Sequence, residues 1–259
     1  ANEKFRTVIN DAMDVLGRGA IIRGENNLLA HAYFALPISI TVEGANILTR
    51  NLMQFGQGLI KSHPYIYTQI NALKNNNVQS FDRAFFAHIG LVFNSFCKSL
   101  AYYLTRAQIN CQKGHFQRYK QKLTWVSSEF TLLTNVALGI LGPSLKKREN
   151  ISARFGDILS NCYLITATLR EFENNPNEQD KDLVDYICNY CFNEIQIARE
   201  EIISNIGFIG FLLPLVKINP FSIKAKDKLN AKIVKNLNDQ NYLKSLTSSL
   251  FISSNEKDR

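Results

Sequence analysis

Apolar residues recur along this chain at helical spacing almost from end to end. Phe85, Ile89, Val92, Phe96, Leu100 and Tyr103 are separated by steps of three and four, which line one face of a helix. Ile151, Phe155, Ile158, Cys162, Ile165 and Leu169 repeat the pattern, and Leu183, Ile187, Tyr190, Ile195, Ala198 and Ile202 form a third stripe. Each stripe predicts a helix with that face buried. No run of strict alternation bounded by turn residues competes with them, so no strand is expected. Breaks are predicted where Gly, Pro and Asn gather, at residues 17–27, 64, 75–77, 139–143, 174–177 and 219–220. Helices of about 10 to 30 residues fit between them, the longer ones typical of antiparallel bundles. The expected fold is all-α.

Composition narrows this further. With 259 residues, 46% of them apolar, the chain can bury one sizeable core or two smaller ones. Its wealth of Phe, Leu and Ile excludes disorder as the main state. Thirteen Gly and six Pro are too few for a many-turned β-sandwich. Five Cys without regular spacing make no disulfide framework, which points to a reducing compartment such as the cytoplasm. No run of 18 apolar residues appears, so no span of a bilayer is expected. Ala1 falls inside a helical pattern with neither an initiator Met nor a signal peptide, and the chain reads as part of something longer.

The net charge of +8 is unevenly placed. No acidic residue lies between Asp82 and Glu129, where Lys98, Arg106, Lys113, Arg118, Lys120 and Lys122 fall. Six Lys between residues 217 and 235 face Asp227 alone. Such stretches suit a phosphate-bearing partner, or else form an ordinary solvated face. Nucleic acid is not expected, because no zinc-finger spacing, RNP-like aromatic motif or helix-turn-helix accompanies the charge.

Most familiar catalytic devices are absent from the sequence: there is no G-x-S-x-G, no Walker loop and no H-E-x-x-H. No metal site is expected, since no Glu is followed by His three residues on and Cys188-x-x-Cys191 is a lone pair in an apolar stripe. These thiols read as core residues, and His31, His63, His88 and His115 as structural or surface side chains. One segment stands apart. Glu43 lies among Ile40, Val42 and Ile47 and is followed at once by Gly44. A carboxylate in such company loses solvation and becomes a stronger base, while glycine lets backbone approach a ligand. The alternative is that Glu43 merely opens a helix and complements its dipole.

Val42-Glu43-Gly44-Ala45-Asn46-Ile47 resembles the E-G-[TA]-N signature of the acyl-CoA dehydrogenases. The likeness to the large bacterial branch of that family extends through the segments 11–17, 24–27, 38–50, 55–58, 63–65 and 145–160, and fades beyond about residue 235. It implies a flavoprotein acting on fatty acyl-CoA in β-oxidation, with FAD as cofactor and electron-transfer flavoprotein or a similar acceptor as partner. Glu43 would be the catalytic base, Gly44 would lie against the substrate, and Ala45, Asn46 and Ile47 against the flavin. Residues 1–62 would end the dehydrogenase's C-terminal helical domain, 63–245 would form the appended helical domain of the bacterial branch, and 246–259 a frayed tail. The remaining domains would lie upstream, leaving this stretch inactive by itself.

Two departures from the family pattern stand out. Asp14-Val-Leu-Gly17-Arg18 occupies the place of a Gln-x-x-Gly-Gly that touches a neighbouring subunit's flavin in a homo-oligomer, and Ala45 replaces the commoner Thr. A non-catalytic reading also stands, in which the chain is a helical scaffold or membrane-docking module. The apolar run 206–216, interrupted by Pro214 and followed by the lysine-rich stretch, is the predicted docking element for an anionic membrane surface at the inner face of the cell membrane.

Overall fold

The computed structural model describes residues 2–38, 48–50, 58–108, 114, 116–207, 227–248 and 250. The fold is all-α, and no strand occurs among the described residues. Eleven α-helices are described: α1 (Asn2–Leu16), α2 (Arg18–Ile21), α3 (Ala30–Ala35), α4 (Gly58–Ser62), α5 (Ile66–Lys74), α6 (Val78–Thr105), α7 (Gln117–Leu141), α8 (Glu149–Asn174), α9 (Asp180–Ile206), α10 (Asp227–Leu237) and α11 (Gln240–Leu246). A 3-10 turn, Gly142–Lys147, links α7 to α8. The chain divides into two compact units, residues 1–89 with 141–156, and residues 90–140 with 157–259.

In the first unit, local polar contacts fix the helix boundaries. Gly17, at φ +50° and ψ −117°, ends α1 and turns the chain into α2. The Asn27 side chain then ties down the next loop, donating to the carbonyls of Ala20 (2.7 Å) and Ile22 (3.0 Å) and accepting from the Leu29 amide (3.1 Å). His63 is buried ahead of α5, and its Nδ1 accepts from the amides of Tyr65 and Ile66 at 3.2 Å each, serving donors that a helix start leaves orphaned. Its ring lies 4.6 Å from that of His88 on α6, where Gln69 Nε2 also meets His88 Nδ1 at 3.3 Å. Asn77 ends the α5–α6 turn, its Oδ1 accepting from the Ser80 amide at 2.9 Å.

The second unit holds the deepest core. Trp125, Val126, Leu133 and Ala137 of α7, Ile158, Ile165 and Leu169 of α8, and Phe192, Ile195 and Ile202 of α9 are all buried. Cys188 and Cys191 are buried in this core and form no disulfide, and burial pushes the Cys188 thiol up to about 12. At the start of α9, Tyr242 of α11 donates to Asp180 Oδ1 at 2.7 Å, and Asp239 caps α11 by accepting from the Asn241 amide.

Three features depart from the apolar spacing. The stripe on α8 is buried as expected, apart from half-buried Cys162. The stripe on α9 is shifted by one residue in its first half: Val184 and Cys188 face inward, while Tyr190 turns outward to stack with Tyr186. On α6 the expectation fails in part, with Val92 and Tyr103 half-buried. Phe85, Ile89, Phe96 and Leu100 are exposed, and the small residues Ala84 and Ser95 are the buried ones. A break also falls where none is predicted, because Arg106 (φ 48°) and Ala107 (φ 58°) end α6 in the left-handed region without help from glycine. The expected break at 219–220 and the docking run, from residue 208 on, lie outside the described residues.

Candidate functional site

The predicted site residues Glu43, Gly44, Ala45, Asn46 and Ile47 all lie outside the described residues. What is described is the approach to them. The Asn27 clamp sets the entry into α3, which leads to Leu36 and Ile38. Arg18, standing where the resembled pattern has glycine, is exposed at the first position of α2.

Among the described residues, the densest polar chemistry lies inside the second unit, between α7 and α9. Tyr119 donates to Asp185 Oδ1 at 2.9 Å and stacks on Phe192 at 6.1 Å. Its phenol is pushed up from the usual range by burial and then by the Asp185 charge. One turn further along α7, Lys122 is buried with its Nζ 5.3 Å from the centroid of the Phe192 ring. Two turns beyond, Glu129 Oε1 accepts from Arg199 Nε at 2.5 Å, with the Arg199 side chain only 5% exposed. Burial raises the Glu129 carboxyl, and the Arg199 guanidinium opposes that rise. Beside this pair lies a cavity of about 40 Å³, walled by Phe96, Leu100, Tyr103, Trp125, Leu133 and Ile203. Ser99 Oγ and Glu129 Oε2, both at its lining, have no hydrogen-bond partner among the described residues.

These contacts explain part of the basic stretch. Lys122 is a core residue, and Lys120 bonds Glu173, leaving Lys98, Arg106 and Arg118 exposed. Sequence reasoning missed both buried pairs, since Tyr119 and Asp185 are 66 positions apart and Glu129 and Arg199 are 70 apart. No cluster of three or more His, Cys, Asp or Glu that could hold a metal occurs among the described residues. The array between α7 and α9 joins the two helices and has no nucleophile–base pair of its own.

Lys122 gives the array a measurable pH signature. Burial first, and then the nearby Arg118 charge, lower its ammonium from 10.5 to about 8. The folded state therefore carries a full charge penalty below about pH 8, relieved between about 8 and 10.5 as the folded amine loses its proton before the unfolded one. Lys122→Met is expected to stabilise the protein by about 1–2 kcal/mol at pH 7, the lost cation–π contact offsetting part of the gain. Urea melts of both proteins should show that advantage shrinking from pH 8 to pH 10; a pH-independent difference would contradict the assignment.

A family model described as "Acyl-CoA dehydrogenase, C-terminal, bacterial type" matches residues 60–259, more than three quarters of the chain. No solved structure matches it. The matched span takes in α5 to α11 and the whole α7–α9 polar array, and begins downstream of the Glu43 signature. This chain belongs to the bacterial-type acyl-CoA dehydrogenase C-terminal family.

Proposed function

We propose that the chain is the C-terminal part of a flavin-dependent fatty acyl-CoA dehydrogenase that converts acyl-CoA to trans-2-enoyl-CoA in β-oxidation. The observation that carries this reading is the family match over residues 60–259, with Val42-Glu43-Gly44-Ala45-Asn46 standing just upstream. The match beginning at residue 60 also supports a boundary near residue 62, between the end of the dehydrogenase domain and the appended bundle.

The α-proton of a thioester is a very weak acid in water, so its removal needs both a strengthened base and stabilisation of the enolate-like charge. Glu43, flanked by apolar neighbours in sequence, is the base that takes this proton on its carboxylate. By the resemblance, its own backbone amide would donate to the thioester carbonyl, and Gly44, lacking a side chain, would let the substrate approach. FAD, when bound, supplies the acceptor for the β-hydride. The chemistry of the residues here suits it: Asn46 offers an amide that both donates and accepts, while Ala45 and Ile47 offer backbone groups and apolar contact. Ala45 has no hydroxyl, so any contact it made would be through the main chain. We place the enzyme in the cytoplasm as a homo-oligomer, with an electron-transfer flavoprotein or similar acceptor reoxidising it.

Anaerobic addition of a saturated fatty acyl-CoA to the flavin-loaded full-length protein is expected to bleach the flavin absorbance and yield one trans-2-enoyl-CoA per flavin. A protein that binds no flavin, or holds it without bleaching, would return the chain to the scaffold reading.

A further inference from the structure

Within the second unit, the C-terminal half of α6 joins α7 and α9 around the cavity of about 40 Å³. Phe96, Ser99 and Tyr103 lie on one face of α6 at steps of three and four, and line it together with Trp125 and Glu129 of α7 and Arg199 of α9. Two oxygens interrupt the mostly apolar lining. Ser99 Oγ and Glu129 Oε2 are buried, and neither has a hydrogen-bond partner among the described residues. The other carboxylate oxygen of Glu129 is committed to Arg199 Nε at 2.5 Å. A buried acceptor without a donor carries its full desolvation cost, and native folds rarely leave one so.

We propose that this cavity is a water site, in which confined water bridges Glu129 Oε2 to Ser99 Oγ. Size selects the occupant. One water needs about 10–15 Å³, so the cavity takes about three at most. A benzene ring sits in about 150 Å³, which excludes an aromatic guest or the body of an acyl chain. Charge excludes a cation, because the Arg199 guanidinium stands in the same lining and already compensates Glu129. Water suits both oxygens, since it donates to the carboxylate and either donates to the hydroxyl or accepts from it. A second cavity at the same ion pair, about 10 Å³, makes the contrast: its other walls are apolar and its size is at the lower limit for one water. The bridge makes Ser99 a polar tie between α6 and the α7–α9 pair. A few confined waters do not hydrate a carboxylate as bulk solvent does, so Glu129 still depends on Arg199 for its charge. The site lies in the core of the second unit and is independent of the reaction proposed for Glu43.

A crystal structure of the full chain, at a resolution that shows ordered water, tests the proposal directly. It should place a water oxygen within about 3.2 Å of Glu129 Oε2, and that water should reach Ser99 Oγ itself or through one more. Crystals held under xenon, which enters dry apolar cavities, should show none at this site. Urea unfolding of Ser99→Ala, Glu129→Gln and the double variant supplies a readout in solution. The effects of the two substitutions on the folding equilibrium constant should depart from a simple product by at least about threefold, although Ser99 Oγ and Glu129 Oε2 share no direct hydrogen bond. Ser99→Ala removes a single oxygen and Glu129→Gln keeps the shape of the side chain, so both variants should fold. Xenon in the cavity overturns the proposal, as does a protein side chain bonded to Glu129 Oε2 in place of water. Effects that multiply within about twofold overturn it too.

Discussion

Glu43→Gln in the flavin-loaded dehydrogenase is expected to leave flavin binding intact while slowing bleaching by acyl-CoA at least about 10²- to 10⁴-fold. The substitution keeps the size of the side chain and most of its hydrogen bonding, so the pocket should still assemble. What it removes is the lone pair that takes the α-proton. A water molecule could replace that function only poorly, because the thioester α-carbon is far too weak an acid for an unassisted solvent base. The flavin's absorbance reports the two effects separately: the spectrum at rest shows occupancy, and its decay after rapid mixing shows proton abstraction coupled to hydride loss. Retained colour with slow bleaching supports the assignment. Bleaching within a few-fold of the wild type would assign the proton to another group.

The helical periodicity of α8 was legible because its apolar residues do face a core, and Ile151, Phe155, Ile158, Ile165 and Leu169 are all buried. The turn at 75–77 was legible for a related reason, since Asn77 carries a side chain suited to capping α6. Periodicity reports that a helix has two unlike faces, however, and not which of them is covered. On α6 the regular Phe and Leu spacing marked a real face that is only partly covered: Phe96, Leu100 and Tyr103 reach the cavity beside Trp125, Phe85 and Ile89 stay exposed, and the most buried positions are Ala84 and Ser95. The end of α6 was hidden for another reason: Arg106 and Ala107 adopt left-handed angles that glycine or asparagine would have announced. The candidate site was legible as a motif alone. Nothing local in the sequence marks Lys122 as a core residue, since its burial rests on α9 supplying the Phe192 ring 70 positions away.

Arg199→Met is expected to destabilise the protein by about 3–5 kcal/mol, because it strips a buried carboxylate of its compensating charge. In the native fold, Glu129 is held between two opposed effects, with burial favouring its neutral form and Arg199 its charged form. Methionine fills much of the volume of the arginine stem but leaves Glu129 at a cavity lined by Phe96, Trp125 and Ile203, with Ser99 and Tyr103 the hydroxyl-bearing residues of the lining. The carboxyl must then either stay charged in apolar surroundings or take up a proton on folding. In the variant its folded-state affinity for a proton exceeds that of the unfolded chain, so stability is lost as pH rises above about 4.5. The deficit against wild type should accordingly be larger at pH 7 than at pH 5. Removing both charges separates the cost of an orphaned ion from the worth of the pair: Glu129→Leu with Arg199→Met should recover most of the loss, since a buried ion pair replaced by apolar groups of similar volume is often neutral or better. Urea unfolding of the two single variants and the double variant at both pH values supplies the full cycle. A single-variant cost below about 1 kcal/mol would mean that water reaches Glu129 through the 40 Å³ cavity and solvates it. A double variant no more stable than Arg199→Met would mean that the arginine stem's packing, and not its charge, joins α7 to α9.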